Sequence, residues 1–142
     1  MDESEQAAER TDDYTTYAAR RGMGQRFSAR SVAEFYRFRP PYSEEVFSIL
    51  HDLRCNQTPV VLDAGCGPGK IARVLAPMVE RVDAVDPSAS MLDVGRSLPN
   101  GAQPNIQWVR GTIEEAPLCP PYGLAVAGAS FHWFAADRCS HV

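Results

Sequence analysis

Apolar residues along the chain fall into short runs whose spacing changes between alternating and helical periods, with glycine, proline and polar clusters between them. Val60-Val61-Leu62 is short and β-branched, and predicts a buried strand. Ile71, Val74, Leu75 and Met78 then recur at helical spacing, which predicts a helix packed on a sheet, with Pro68 in its first turn and Pro77 ending or kinking it. Val82-Asp83-Ala84-Val85-Asp86 reads as the second strand, and Pro87 and Ser88 open a helix that includes Met91, Leu92 and Leu98 and is weakened by Gly95. Residues 99–104 read as a loop. The third strand spans 105–110, where Ile106 and Trp108 alternate with polar residues before Gly111 ends it. Residues 123–129 are small and apolar throughout, the pattern of a fourth strand covered on both faces.

Upstream, Val32, Phe35 and Tyr36 predict a helix over 28–38 that Arg39-Pro40-Pro41-Tyr42 stops. A second helix follows, capped by Ser43, with Glu44 and Glu45 at its positive end and a buried stripe of Val46, Ile49, Leu50 and Leu53. Residues 1–10 are polar and acidic without periodicity and read as disordered; Tyr14 and Tyr17 suggest a short helix and loop in 11–24. The division is therefore an N-terminal arm, 1–24, and one domain, 25–142. Strands alternating with helices predict an α/β fold with a parallel sheet and right-handed crossovers.

The chemistry concentrates at Asp63-Ala64-Gly65-Cys66-Gly67-Pro68-Gly69-Lys70. Glycines at every second position let the main chain take positive φ and approach a ligand closely. A phosphate-binding P-loop needs Ser or Thr after Gly-Lys, and Ile71 stands there; the dinucleotide fingerprint needs a small residue where Lys70 stands. Asp63, pressed against the loop, would repel a pyrophosphate and attract an ammonium group. Asp86, at the end of the next strand, is placed to accept ribose hydroxyls. A ligand with an amino-acid end and a nucleoside end fits both, and S-adenosylmethionine has both.

On these motifs, followed by Val85-Asp86-Pro87-Ser88 with Met91, Gly111-Thr112-Ile113-Glu114-Glu115-Ala116-Pro117 and Gly128-Ala129-Ser130-Phe131-His132-Trp133, the chain resembles the class I S-adenosylmethionine-dependent methyltransferases. The resemblance runs from about Phe35 to Trp133. It implies a Rossmann-like, doubly wound sheet with strand order 3-2-1-4, and cofactor contacts from Asp63, Ala64, Gly65, Cys66, Gly67, Gly69, Asp86, Pro87, Ser88, Met91, Thr112, Ile113, Glu114 and Ser130. It also implies that Arg39 and Tyr42 lie near the cofactor's carboxylate end, where a guanidinium would form a bidentate pair. For Arg39 and Tyr42 an exposed charge and a core aromatic are the plain alternatives, and for Met91 a core role. Family members usually place an acid where Thr112 stands to receive the adenine amino group; Thr112 can accept through its hydroxyl, and Glu114 is the nearest carboxylate. His132 is the candidate catalytic base for an acceptor hydroxyl or amine, with a structural histidine beside Trp133 as the alternative. Methyl transfer needs little beyond in-line approach, so a base is not required.

Composition narrows the partners. With 142 residues and 44% hydrophobic content the chain suits one domain with a real core. A net charge of −4 argues against nucleic acid unless Arg20, Arg21, Arg26 and Arg30 gather on one face, and favours a small-molecule acceptor. Cys55, Cys66, Cys119 and Cys139 lie far apart without metal-ligand spacing and read as reduced thiols of a cytoplasmic protein; no run is long enough to span a membrane. Class members typically have seven strands and four are read here, so the C-terminal strands are expected to be missing. A bare fourth strand would then be an edge for self-association. The rival expectations are a truncated, inactive cofactor-binding or dimerising fragment, and an NAD or nucleotide-sugar enzyme, against which Asp63 and Lys70 speak.

Overall fold

The structure, a computed structural model, describes Ala33 and residues 39–128. Its centre is a parallel sheet of β1 (Val60–Ala64), β2 (Arg81–Asp86), β3 (Ile106–Arg110) and β4 (Leu124–Val126). The strand order is β3-β2-β1-β4, the order that the family resemblance implied, and all pairs are parallel, as the alternation of strands and helices predicted. Val61 stands opposite Val82 and Leu124, and Val82 opposite Ile106. This register puts Val61, Val82, Ala84, Ile106 and Val126 on one face and Leu62, Ala64 and Val85 on the other, and both sets are buried.

Three helices are described: α1 (Glu44–Arg54), α2 (Ala72–Leu75), which continues as a 3₁₀ turn over Ala76–Met78, and α3 (Ala89–Ser97). Side chains from all three, among them Phe47, Leu50, Leu75 and Leu92, pack into the cluster on the first face. A right-handed crossover keeps the connections β1→β2 and β2→β3 on one side and sends the return from β3 to β4 to the other. That return has no helix among the described residues. Ile113, Ala116, Leu118 and Tyr122 cover the second face instead. Asp83, 5% exposed, fastens them. It takes Arg81 Nε at 2.9 Å and the Tyr122 hydroxyl at 2.6 Å, while Arg81 Nη2 donates to the Cys119 carbonyl at 2.7 Å.

Four expectations change. Ser43 stands at the start of α1 with extended backbone, but its side chain makes no capping bond; its carbonyl accepts Val46 N–H at 3.1 Å. The face of α1 that meets the sheet carries Phe47 and Leu50, leaving Ile49 and Leu53 58% and 60% exposed. In α2 the sheet-facing residues are Ile71, Ala72, Leu75 and Ala76, while Val74 and Met78 face outward. The small alanines let this short helix lie close to the strands, and Pro77, which lacks an N–H, sits where α-helix gives way to 3₁₀. Asn105 Nδ2 donates to the carbonyls of Ala76 and Val79, satisfying acceptors that the abrupt end leaves over. Finally β4 is shorter than the apolar run. Ala125 is exposed, so β4 is not covered on both faces. Among the described residues it pairs with β1 alone. The arm 1–24, the helix read over 28–38 apart from the buried, helical Ala33, and the end of the run at Ala129 lie outside the described residues.

Trp108 explains a glycine that looked like a weakness. Its ring lies over Gly69 and Gly95, and its Nε1 donates to the Gly101 carbonyl at 3.1 Å. A Cβ on Gly95 would fall 2.5 Å from the Trp108 ring and 3.0 Å from the Pro68 carbonyl oxygen. Helix propensity alone favours alanine there by about 1 kcal/mol, and the overlap opposes it by about 1–3 kcal/mol. Both neighbours are stiff, so the overlap wins. Gly95→Ala is expected to destabilise the fold by about 1–2 kcal/mol in denaturant titration; a stabilised variant would mean that the indole does not rest on α3.

Candidate functional site

The sheet directs its chemistry-bearing loops to the carboxyl ends of its strands, where open α/β sheets bind ligands. β1 ends in the glycine loop. Gly65, Gly67 and Gly69 take φ of 65°, 54° and 73°, the left-handed backbone that the glycine spacing implied. They do different work. A Cβ on Gly69 would strike Trp108 at 2.5 Å, so packing requires a glycine there. Around Gly67 no atom lies within 4 Å of that position, and the main chain there faces open space.

Asp86 fixes this loop. Its Oδ2 accepts Gly67 N–H at 2.9 Å, its Oδ1 accepts Ser88 N–H at 2.8 Å, and its carbonyl accepts Gly111 N–H at 3.1 Å. One residue thereby joins the loop after β1, the start of α3 and the loop after β3. Burial pushes its carboxyl up from the usual range, against the pull of the two N–H groups. Ser88 adds a cap, accepting Met91 N–H on Oγ at 3.3 Å. Cys66 N–H reaches across to the Val85 carbonyl at 2.9 Å, and the Cys66 thiol donates to Gly67 O at 3.3 Å. Burial, with the charges of Asp63 and Asp86 behind it, pushes that thiol well up, so it is no nucleophile.

Asp63 has a structural task that the sequence did not show. Its carboxyl is 2% exposed, and its Oδ2 accepts the Ala72 N–H at 3.0 Å at the start of α2. Its nearest task is to hold the turn that follows the glycine loop. Burial first, and Asp86 to a lesser degree, push it up to about 7 against that hydrogen bond.

The remaining candidates divide. Tyr42 is 36% exposed, and its hydroxyl stands against Gly128, just past β4, where a Cβ would lie 2.6 Å from it. Arg39 is exposed and near enough to Lys70 to lower that lysine's pKa, after burial and alongside Arg73. Pro87 is exposed, Ala64 is buried in the second-face cluster, and Glu114 is half-buried. Met91 is buried with Ala33 and Val94, and Ile113 is buried against Leu62, Ala64 and Val85, so both support the site as core. The Thr112 hydroxyl oxygen is inaccessible and without a hydrogen-bond partner, a rare and costly state for a buried polar atom. Ser130 and His132 lie outside the described residues. Sequence reasoning missed the threefold use of Asp86 and the Lys70 bond to the Pro40 carbonyl at 2.9 Å, because neither has a periodic or motif signature.

Comparison with known proteins agrees with this arrangement. A family model described as a methyltransferase domain matches residues 61–142. A methyltransferase of Mycobacterium tuberculosis, described as uncharacterized, is 36% identical over 116 residues, covering 81% of this chain and 44% of that protein. A malonyl-[acyl-carrier protein] O-methyltransferase of Acetivibrio thermocellus is 33% identical over 76 residues, covering 52% of this chain and 26% of its own length. A solved structure from Anaeromyxobacter dehalogenans, provisionally described as a type II methyltransferase, superposes with a TM-score of 0.60 at 32% identity, covering 72% of this chain and 41% of that one. The chain spans less than half the length of each of these three relatives.

The buried Asp63 carboxyl gives the site a pH signature. The folded chain keeps a proton that the unfolded chain releases from about pH 4 upward, until Asp63 ionises near about 7. Stability therefore falls as pH rises through that window. Asp63→Asn keeps an oxygen for the Ala72 N–H and has no charge to bury, so its denaturant midpoint is expected to fall less over the same range. Equal slopes in the two proteins would show that Asp63 ionises as an ordinary carboxylate.

Proposed function

Because the chain belongs to the methyltransferase domain family, we propose that it holds S-adenosylmethionine at the glycine loop and serves methyl transfer to a small-molecule acceptor. The observation that carries this reading is the open main chain at Gly67, held rigid by Asp86 with nothing within 4 Å of a Cβ position.

The residues present fit the group in kind. Asp86 has given each oxygen to one N–H, and a carboxylate oxygen has two lone pairs, so it can still accept the ribose hydroxyls. Gly65 and Gly67 let the methionine end approach the backbone, and Arg39 meets its carboxylate. Asp63 holds the turn beneath the loop by accepting the Ala72 N–H, and gains a negative charge that would favour the ammonium only as pH rises through about 7. When bound, S-adenosylmethionine supplies a methyl group on a sulfonium, which an acceptor lone pair attacks in line. The protein's part is to orient the two and exclude competing water. His132 takes a proton where the acceptor is a hydroxyl or amine; an acceptor already ionised needs no base. The malonyl relative is named for O-methylation, and a carboxylate oxygen belongs to that second kind. The acidic balance, net charge −4, favours a small acceptor over a nucleic acid.

The test is calorimetric titration of the chain with S-adenosylhomocysteine, alongside Gly67→Ala. The wild-type chain is expected to bind with a dissociation constant on the order of micromolar. The added methyl points into the open space, so Gly67→Ala is expected to weaken binding by about tenfold or more while costing about 1–2 kcal/mol of stability through its left-handed φ. A folded wild-type chain that does not bind, or a Gly67→Ala chain that binds equally well, would overturn the reading.

A further inference from the structure

Lys70 belongs neither to the core nor to the hydrogen bonds that hold the glycine loop. Its side chain crosses to a different part of the chain, where Nζ donates to the Pro40 carbonyl at 2.9 Å. Pro40 and Pro41 have no N–H and a fixed φ, so the stretch from Arg39 to Tyr42 is stiff and cannot join the sheet through donors of its own. It is fastened by what it accepts and by what it packs on. At one end the carbonyl of Pro40 takes the Lys70 ammonium. At the other the Tyr42 hydroxyl and the Ile71 δ-methyl both stand against Gly128, where a Cβ would lie 2.6 Å and 2.9 Å from them. The strap therefore runs from the glycine loop to the carboxyl end of β4. Its anchor is made in spite of Arg39 and Arg73, whose charges lie close enough to disfavour a third cation. A cation held against such repulsion needs a fixed acceptor, and the carbonyl supplies it.

We propose that Lys70 is a positioning residue: by binding the Pro40 carbonyl it fastens the Arg39–Tyr42 strap over the glycine loop, so that Arg39 and Tyr42 form one wall of the cofactor site. This rests on the cofactor reading above and adds to it which residue sets that wall. Lys70→Met removes the bond and keeps the apolar stem, and Lys70→Arg restores a cationic donor.

Two readouts separate this role from a general one. In the free protein, proton cross-relaxation between the Tyr42 ring and the Ile71 δ-methyl reports the strap directly. It is expected in the wild-type chain, lost in Lys70→Met and present in Lys70→Arg. Titration with S-adenosylhomocysteine is expected to give a dissociation constant raised on the order of tenfold in Lys70→Met and returned to within about twofold in Lys70→Arg. The thermal midpoint should stay unchanged in both, because the bond is exposed. A cross-peak that survives in Lys70→Met overturns the proposal, and so does a lost cross-peak with unchanged affinity. A wild-type chain that binds no ligand overturns the cofactor reading itself, and with it the role of Lys70 there; the wild-type titration alone identifies that outcome.

Discussion

The carboxylate of Asp86 is the contact on which the site depends. Loops at the carboxyl ends of adjacent strands have no ladder to hold them together, and here one residue at the tip of β2 reaches all three neighbours. Its two oxygens take the N–H groups of Gly67 and Ser88, and its carbonyl takes that of Gly111. A charged acceptor shared between two main-chain donors is stronger than two neutral bonds, and partial burial keeps water from competing. The glycine loop can thus present open backbone without collapsing onto the sheet. The same economy makes Asp86 a poor probe of ligand contact, since removing it would release the loop as well.

Close packing on the first face supplies the rigidity behind that clamp. Gly69, Gly95, Ala72 and Ala76 are small where the chain comes nearest to itself, and Trp108 fills the space between the glycine loop and α3. One indole therefore presses on the loop at Gly69. On the second face, Asp83 with Arg81 and Tyr122 does a comparable job for the helix-free return to β4. The family assignment rests on comparison, and the structure adds a loop clamped by Asp86, backed by Trp108 and open at Gly67.

Much of this was legible in the sequence. The strand order was what the family resemblance implied, while the parallel sheet and the left-handed glycines follow from β-branched runs, the alternation of strands with helices and residue type, which are local or chiral rules. Ser88 at the start of α3 was readable for the same reason. The contact faces of α1 and α2 were not, because a helical period admits neighbouring stripes and the choice between Phe47 and Ile49, or Ala72 and Val74, is made by what the sheet leaves room for. The structural task of Asp63 was not legible, because its burial and its bond to Ala72 are tertiary facts. The packing need at Gly69 and Gly95 was not legible, because the Trp108 ring that lies against both comes from a strand distant in the sequence.

The most direct measurement is an amide nitrogen–proton correlation spectrum of the labelled chain as S-adenosylhomocysteine is added. If the cofactor sits on the loop that Asp86 clamps, the amides of Gly67, Ser88 and Gly111 shift together, while those at the amino ends of the strands, such as Val60 and Arg81, stay in place. Shifts confined to the amino ends, or no shift at saturating ligand, would contradict the account.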